Sequence, residues 1–512
     1  MTKLFKKLFR VLVSRLSIVG MLLLLQVIWF IIIIEILGRY FNLINSFFTL
    51  LSMVAVLWLV NKKDNPAYKL AWVIPILLYP LLGGLMYLFM GDKKPSRKLR
   101  NKMINIYSKT SKLMKQDFKI IEEIKNIDKS IANQAYYISQ TAKFPIYKNT
   151  IAEYYKSGES NFTAIKDELK KAKQYIFMEY FIIAEGIMWN EILAILEEKV
   201  KEGVEVRLIY DDMGCLTLLP YNYFKKMEQK GIKCISFNKF IPIFSIAMNH
   251  RDHRKIVVID GNTAFTGGIN MADEYINEKV RFGHWKDTGI MLKGDAVWNF
   301  TVMFLQMWNS VTPTDKDYNK YRPNVHHSKE IHFDGYVQPY GDTPLDQEAV
   351  GENVYLNIIN SAKNYIYIFT PYLIIDNEMM TSLCLAAKKG VDVKIVTPGI
   401  PDKKYVFWLT QSYYGQLSEA GVKIYEYTPG FLHAKCFVCD DEIATVGTIN
   451  MDYRSLFLHF ECGVFLYKSN IISEIKSDIL ETINESKEII DYKVKLPKRL
   501  MQAVLRLFAP LM

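Results

Sequence analysis

Hydrophobic and polar positions divide the chain into regions with different periods. Residues 16–34, 41–60 and 70–90 carry no charged side chain, and each run is close to the ~20 residues that cross a bilayer as a helix. The first two are apolar on every side, which suits lipid or the middle of a large core. Pro75, Pro80, Gly83 and Gly84 interrupt the third, so it also suits a re-entrant or interfacial stretch. From Arg100 to about Phe144 the chain turns charged with a helical period, the pattern of a solvated connector. Beyond it, short apolar runs alternate with helical segments such as 191–202 and 379–389, which implies an α/β architecture.

The α/β part repeats itself. AKQYIFMEYFI at 172–182 parallels AKNYIYIFTPY at 362–372, GVEVRLI at 203–209 parallels GVDVKIV at 390–396, and GIKCI at 231–235 parallels GVKIY at 421–425. The expected layout is a membrane anchor at 1–92, a helical connector at 93–144 and a first half at 145–312. A polar linker at 313–332, a second half at 333–490 and an amphipathic segment at 491–512 follow. Val297, Phe300, Phe304 and Trp308 lie along one side of a helix and read as core packing. The closing LPKRLMQAVLRLFAPLM fits equally an interfacial helix or a terminal helix docked on the domain.

The repeat carries its chemistry in register. HRKIVVIDGNTAFTGGIN contains His253, Lys255, Asp260, Gly267, Gly268 and Asn270; HAKCFVCDDEIATVGTIN contains His433, Lys435, Asp440, Gly447, Thr448 and Asn450. Both the histidine and the asparagine recur 180 residues later. Each H-x-K opens an apolar strand, so imidazole and ammonium share a face. His253, Lys255, Asp260, His433, Lys435 and Asp440 form the candidate catalytic set. Asp260 sits at the hairpin end, away from the histidine face, where a structural role is expected. A neutral nucleophile, a cation and an amide on one surface suit a phosphate.

Charge and cysteine content narrow the field. The formal charge of +11 points to anionic partners such as phospholipid head groups or nucleic acid. Basic clusters at Lys3, Lys6, Lys7 and Arg10, at Lys62 and Lys63, and at Lys93, Lys94, Arg97 and Lys98 flank the apolar runs. Two spans with a re-entrant third would put all of them, and the α/β part, on the cytoplasmic side. Six scattered cysteines read as buried reduced thiols; Cys436 and Cys439 lie three apart on a strand and face opposite ways. His250, His284, His326, His327, His332 and His459 lack the H-x-K setting and read as surface or supporting residues. No phosphate-binding glycine loop follows a strand.

The paired motif resembles the phospholipase D superfamily. With NPAYKLAWVIPILLYPLLGGLMYLFMG at 65–91, YDDMGC at 210–215, NHRDHRKIVVIDGNTAFTGGINMADEY at 249–275 and GHWKDTG at 283–289, the chain is similar to the bacterial cardiolipin synthases within it. The resemblance implies two pseudo-symmetric phospholipase D-like α/β/α sandwich domains in one chain, preceded by transmembrane helices. It implies a ping-pong transfer between two phosphatidylglycerol molecules, giving cardiolipin and glycerol through a phosphohistidine, with no cofactor, metal or nucleic acid. By this analogy His253 is the nucleophile and His433 the acid/base, though the internal symmetry leaves the order open. An unperturbed histidine near pKa 6.5 would suit both duties. Lys255, Lys435, Asn270, Asn450 and Thr448 would contact phosphate, with Gly268 offering no hydroxyl in the first half. Asp287 and Glu461 match the acids that orient the histidines. Alternatives are a membrane-bound phospholipase D, a transferase to serine or ethanolamine lipid, a nuclease, and a non-enzymatic anionic-lipid scaffold.

Overall fold

A computed structural model describes residues 21, 24–29, 31–32, 41–91, 97–239, 250–323, 334–346 and 348–511. His326, His327 and His332, the basic residues before the first apolar run and those at 93 and 94 lie outside them. The chain divides into two compact units. One holds the described residues of Met1–Lys94 with the last few of Leu507–Met512, and the other those of Pro95–Phe240 and Ala247–Arg506.

In the smaller unit, helix α1 (Phe41–Asn61) is followed by α2 (Pro66–Leu78) and α3 (Pro80–Met90). Asn65 caps α2 by accepting from Ala67 N at 3.0 Å, and Pro at the first helical position fits because its missing N–H has no intrahelical role there. The third apolar run is thus two helices of 13 and 11 residues broken at Tyr79. Pro80 supplies the break, since it disfavours helical backbone in the residue before it. At 1.5 Å per residue, neither helix reaches the roughly 30 Å of a bilayer core. Leu59, Tyr68, Trp72, Ile76 and Tyr87 pack together, while Leu50, Leu51, Val54, Leu57 and Trp58 of α1 remain exposed. Among the described residues no helix is long and apolar enough to cross a membrane, so the expected spans are not confirmed.

The larger unit contains two sheets of matching topology. The first half runs β1 (Thr150–Tyr155), β2 (Tyr175–Tyr180), β3 (Glu205–Asp211), β4 (Lys233–Phe237), β5 (Lys255–Ile259), β6 (Thr263–Gly267), β7 (His284–Lys286) and β8 (Gly289–Gly294). Its seven-stranded sheet has the order β1-β8-β6-β5-β2-β3-β4. β2, β3 and β4 are parallel; the remaining pairs are antiparallel. The second half supplies β9 (Tyr336–Asp342), β10 (Tyr365–Phe369), β11 (Leu373–Ile374), β12 (Asp392–Pro398), β13 (Lys423–Tyr427), β14 (Gly430–Leu432), β15 (Cys436–Cys439), β16 (Ile443–Gly447), β17 (Met451–Asp452), β18 (Glu461–Tyr467) and β19 (Ser486–Glu488). Its main sheet reads β9-β18-β16-β15-β10-β12-β13, the same path, with β19 added at the far edge. The expectation of two α/β halves therefore stands, with mixed sheets.

Helix α4 (Val297–Val311) is buried along almost its whole length, and Val297, Phe300, Phe304 and Trp308 are all core residues. Phe304 stacks on Phe177 of β2 at 4.6 Å. All six cysteines are free, and Cys384 alone among them is half-buried rather than buried. Helix α5 (Leu496–Phe508) lies on the second half through its polar residues. Gln502 donates to Trp408 O at 3.0 Å, Lys498 to Gln411 Oε1 at 2.7 Å, and Arg506 sits 4.5 Å from the Tyr413 ring. Leu496, Leu500, Met501 and Val504 are left exposed.

Of the short pairings that cross between the halves, two lie beside the histidines. β14 runs parallel to β7, with Leu432 opposite Lys286. A single bridge joins Asp252 to Phe460. Each crossing delivers a histidine from one half beside an acid from the other.

Candidate active site

The approach to His253 is held by buried charge. Asp211, at the end of β3, receives Arg251 Nη2 at 2.6 Å, Arg251 Nε at 3.0 Å and the backbone N of Asp252 at 3.1 Å. Arg254 points to Glu179 of β2 at 2.6 Å and to Asp252 at 3.2 Å. A buried charge needs a partner in place, so the charges of Arg251, Asp252 and Arg254 hold this run in one register. Backbone bonds from His253 N to Phe460 O and from Phe460 N to Arg251 O, both 2.9 Å, then fix it against the second half.

The histidine partners are exchanged between halves. His253 Nδ1 lies 2.9 and 3.0 Å from the two oxygens of Glu461, 208 residues away. His433 Nδ1 lies 2.7 Å from Asp287 Oδ2, 146 residues away, and His433 N donates to Lys286 O at 2.7 Å. A carboxylate accepting at Nδ1 holds that proton there and leaves Nε2 with a free lone pair. Phe181 packs edge-on against His253 at 5.0 Å, and Tyr275 against His433 at 5.5 Å.

Burial sets the protonation states. Desolvation drives His253 down to about 3, although Glu461 pulls the other way. Desolvation and then Lys435 bring His433 down to about 4. Both rings are neutral near pH 7, which corrects the expectation of unperturbed histidines. Burial lowers Lys255 to about 8 and Lys435 to about 7, with the nearby carboxylates resisting. Burial alone would raise Asp287, but His433 and Lys435 outweigh it and hold it below the usual carboxylate range. Glu461 is likewise held well below that range, burial being overcome by the charge and hydrogen bond of His253. Lys255 acts electrostatically on His433 and Lys435 in the other half, so the two half-sites form one electrostatic environment.

Each lysine donates to the carbonyl of its own histidine, Lys255 to His253 O at 2.6 Å and Lys435 to His433 O. Lys435 Nζ also lies 2.9 Å from His433 Nδ1. An ammonium has three protons, so capacity for an anion remains. Asn270 Oδ1 accepts from Ile182 N at 3.1 Å, and its Nδ2 donates to Tyr275 Oη at 2.7 Å. Asn450 Nδ2 donates to Ser455 Oγ at 3.1 Å, while its buried Oδ1 has no hydrogen-bond partner among the described residues.

The catalytic grouping of Asp260 and Asp440 and the phosphate contact of Thr448 need correction, whereas the structural role expected of Asp260 at its hairpin end agrees with the geometry. Asp260 and Asp440, grouped with the catalytic residues through the motif, do not face the histidines. Asp260 accepts the backbone N–H groups of Lys173, Gln174 and Tyr175, each at 2.8 Å. Asp440 accepts those of Lys363, Asn364 and Tyr365 at 2.7 to 2.9 Å. Each thus clamps the entry of the neighbouring strand, β2 or β10. Thr448 does not offer its hydroxyl to a phosphate: it donates to Glu461 Oε2 and accepts from Cys462 N at 3.0 Å. At the matching place, a Cβ on Gly268 would fall 2.0 Å from Asp287 Oδ1, so this glycine clears space for the acid rather than for a ligand. Sequence reasoning missed Asp211, Arg251, Phe181 and Tyr275; the density of charge in NHRDHRK was the available signal.

Two α/β halves exchanging acids around paired H-x-K strands define a phospholipase D-type site. The cardiolipin synthase, PLD-like domain family matches residues 165–308 and 355–483, and the phospholipase D-nuclease N-terminal family matches 50–91. The chain is 36% identical over 467 residues to a cardiolipin synthase of Geobacillus sp., covering 89% of this chain and 91% of that one. It is 35% identical over 463 residues to cardiolipin synthase 2 of Bacillus anthracis, covering 89% of each. A Streptococcus mutans protein described only as uncharacterized is 47% identical over 90% of this chain and 99% of its own. Phosphatidylserine synthase of Haemophilus influenzae shares the fold, with a TM-score of 0.56 at 14% identity over 75% of this chain and 97% of that one. The chain belongs to the cardiolipin synthase family of phospholipase D-like proteins.

Proposed function

We propose that this protein makes cardiolipin and glycerol from two molecules of phosphatidylglycerol by transferring a phosphatidyl group through a histidine. The exchanged His253–Glu461 and His433–Asp287 pairs carry this reading. They offer two imidazoles of fixed tautomer, one to attack phosphorus and one to handle the proton of the oxygen that leaves or arrives.

His253 Nε2 forms the N–P bond as the P–O bond to glycerol breaks, and His433 gives its proton to the departing oxygen. The glycerol hydroxyl of a second phosphatidylglycerol then returns a proton to His433 and attacks phosphorus, breaking the N–P bond. Burial keeps His253 unprotonated and therefore nucleophilic. His433 acquires its proton with the substrate, because a phosphodiester anion beside it favours the imidazolium. Lys255, Lys435, Asn270 and Asn450 hold the non-bridging oxygens; Thr448 and Gly268 serve the orienting acids.

The apolar N-terminal helices and the exposed apolar side of α5 support work at a bilayer. The topology that fits the basic clusters is two spans and a re-entrant third, with the catalytic halves on the cytoplasmic face. Cysteine labelling from outside intact cells at a site within 313–332 contradicts this topology if it succeeds. Purified protein given phosphatidylglycerol alone tests the reaction: equimolar cardiolipin and glycerol are expected. Phosphatidic acid as the main product would instead indicate hydrolysis, and a strict need for serine or phosphatidylethanolamine another acceptor.

A further inference from the structure

The two half-sites also differ two residues before each orienting acid. Two residues before Asp287 stands Trp285, and two residues before Glu461 stands His459. Trp285 packs on His433 at 5.4 Å, and His459 packs on His253 at 5.7 Å. The His253 side therefore holds a second imidazole where the His433 side holds an indole. His459 is 9% exposed, and among the described residues neither of its ring nitrogens has a hydrogen-bond partner. Its Nδ1 lies 3.7 Å from Glu461 Oε1, and one donor atom from each of His253, His459 and Glu461 lies within 4.8 Å of the others.

These spacings have a chemical meaning. A tetrahedral zinc ion bound at about 2.0–2.1 Å by nitrogen and oxygen puts its ligand atoms roughly 3.3 Å apart. The 2.9 Å between His253 Nδ1 and Glu461 Oε1 and the 3.7 Å between His459 Nδ1 and the same oxygen lie on either side of that figure. Two imidazoles and a carboxylate are a familiar zinc ligand set that leaves a fourth position open. We infer that His253, His459 and Glu461 form a binding site for a zinc-like divalent transition metal, and that metal bound there blocks the transfer reaction. Coordination through His253 Nδ1 moves that nitrogen's proton to Nε2, with none released overall. Nε2 then has no lone pair for phosphorus, and Glu461 is drawn from orienting the ring to holding the ion. The His433 side has no such site because indole is not a ligand.

Binding stands on the cluster alone; inhibition rests also on the proposed role of His253. The test uses the full-length protein in detergent, titrated with Zn²⁺ by calorimetry and with Co²⁺ by visible absorption. His459→Asn is compared with wild type, and His284→Asn controls for histidine loss elsewhere. Wild type and His284→Asn are expected to take up one ion, to show the intense absorption of four-coordinate Co²⁺, and to lose activity as Zn²⁺ is added. His459→Asn should bind at least tenfold more weakly, lose the Co²⁺ spectrum, and need at least tenfold more Zn²⁺ for half-inhibition relative to its own metal-free rate. Its thermal midpoint, measured alongside, checks that it folds. Equal binding by wild type and His459→Asn, or none by wild type, overturns the site. Tight binding without inhibition overturns coordination through His253 Nδ1. A metal-free enzyme that makes no cardiolipin would refute the proposed function while leaving the binding result to be judged on its own.

Discussion

Replacing each orienting acid by its amide tests the exchanged pairs. Glu461→Gln and Asp287→Asn keep nearly the same shape but remove a buried charge 2.9 and 2.7 Å from His253 and His433. A hydrogen bond to a charged group contributes about 1.5–3 kcal/mol and a neutral one about 0.5–1.5, so each change forfeits roughly 1–2 kcal/mol. At 1.36 kcal/mol per tenfold, that is a fall in kcat of roughly 5–30-fold. If the amide NH₂ turns toward Nδ1 and reverses the tautomer, the loss reaches about 10⁴-fold, as with the matching change in the serine protease triad. The assay compares phosphatidylglycerol with a phosphatidyl donor bearing a p-nitrophenol leaving group, which departs without a proton. The activated donor should restore Asp287→Asn and His433→Ala in the first half-reaction, and should not restore Glu461→Gln or His253→Ala. In a His433→Ala background with this donor, Asp287→Asn should cost less than about twofold further, because its partner is gone, while Glu461→Gln keeps its full effect. The opposite pattern, with Glu461→Gln silent and Asp287→Asn costly, would refute the exchange of acids between halves.

Four further outcomes follow from the same geometry. Thr448→Val removes the hydroxyl donated to Glu461; about 1 kcal/mol predicts roughly a fivefold fall in kcat with KM nearly unchanged, and Gly268→Ala should cost more because its methyl meets Asp287. Asp260→Ala strips three backbone N–H groups of their acceptor, at about 1–3 kcal/mol for each that water cannot reach; thermal melts should show the loss while kcat per folded molecule is little changed. Phosphate binding needs the ammonium forms of Lys255 and Lys435, present below their depressed values of about 8 and 7 and lost as pH rises through them, so KM for phosphatidylglycerol should climb from pH 7 to 8. A KM that stays flat until pH 10 would contradict the burial of these lysines.

The duplication was legible because it is local: an H-x-K strand, a turn, a return strand and an asparagine recur at one spacing. Asp260 was legible for the same reason, since a residue at a hairpin end cannot share the histidine face. The exchange of acids was not, because it depends on how two halves dock across pairings such as Asp252 with Phe460. Thr448 looked like a phosphate contact because hydroxyls suit phosphates; the acid it serves approaches from another strand, a tertiary fact. Ring protonation is not legible in the sequence because a residue's desolvation is set by everything packed around it. His459 lacks the H-x-K setting, yet aligning HWKD with LHFE places it opposite Trp285. The apolar side of α5 was visible in LPKRLMQAVLRLF, but not that polar residues would dock it.

The most direct test is to stop the reaction during turnover and locate the covalent phosphatidyl group by mass spectrometry. With phosphatidylglycerol in wild type, or with the activated donor in His433→Ala, the adduct should sit on the peptide containing His253 and nowhere else. Equal labelling of His253 and His433, with each single alanine variant still making cardiolipin through the remaining histidine, would mean two independent sites and contradict a single site assembled from both halves.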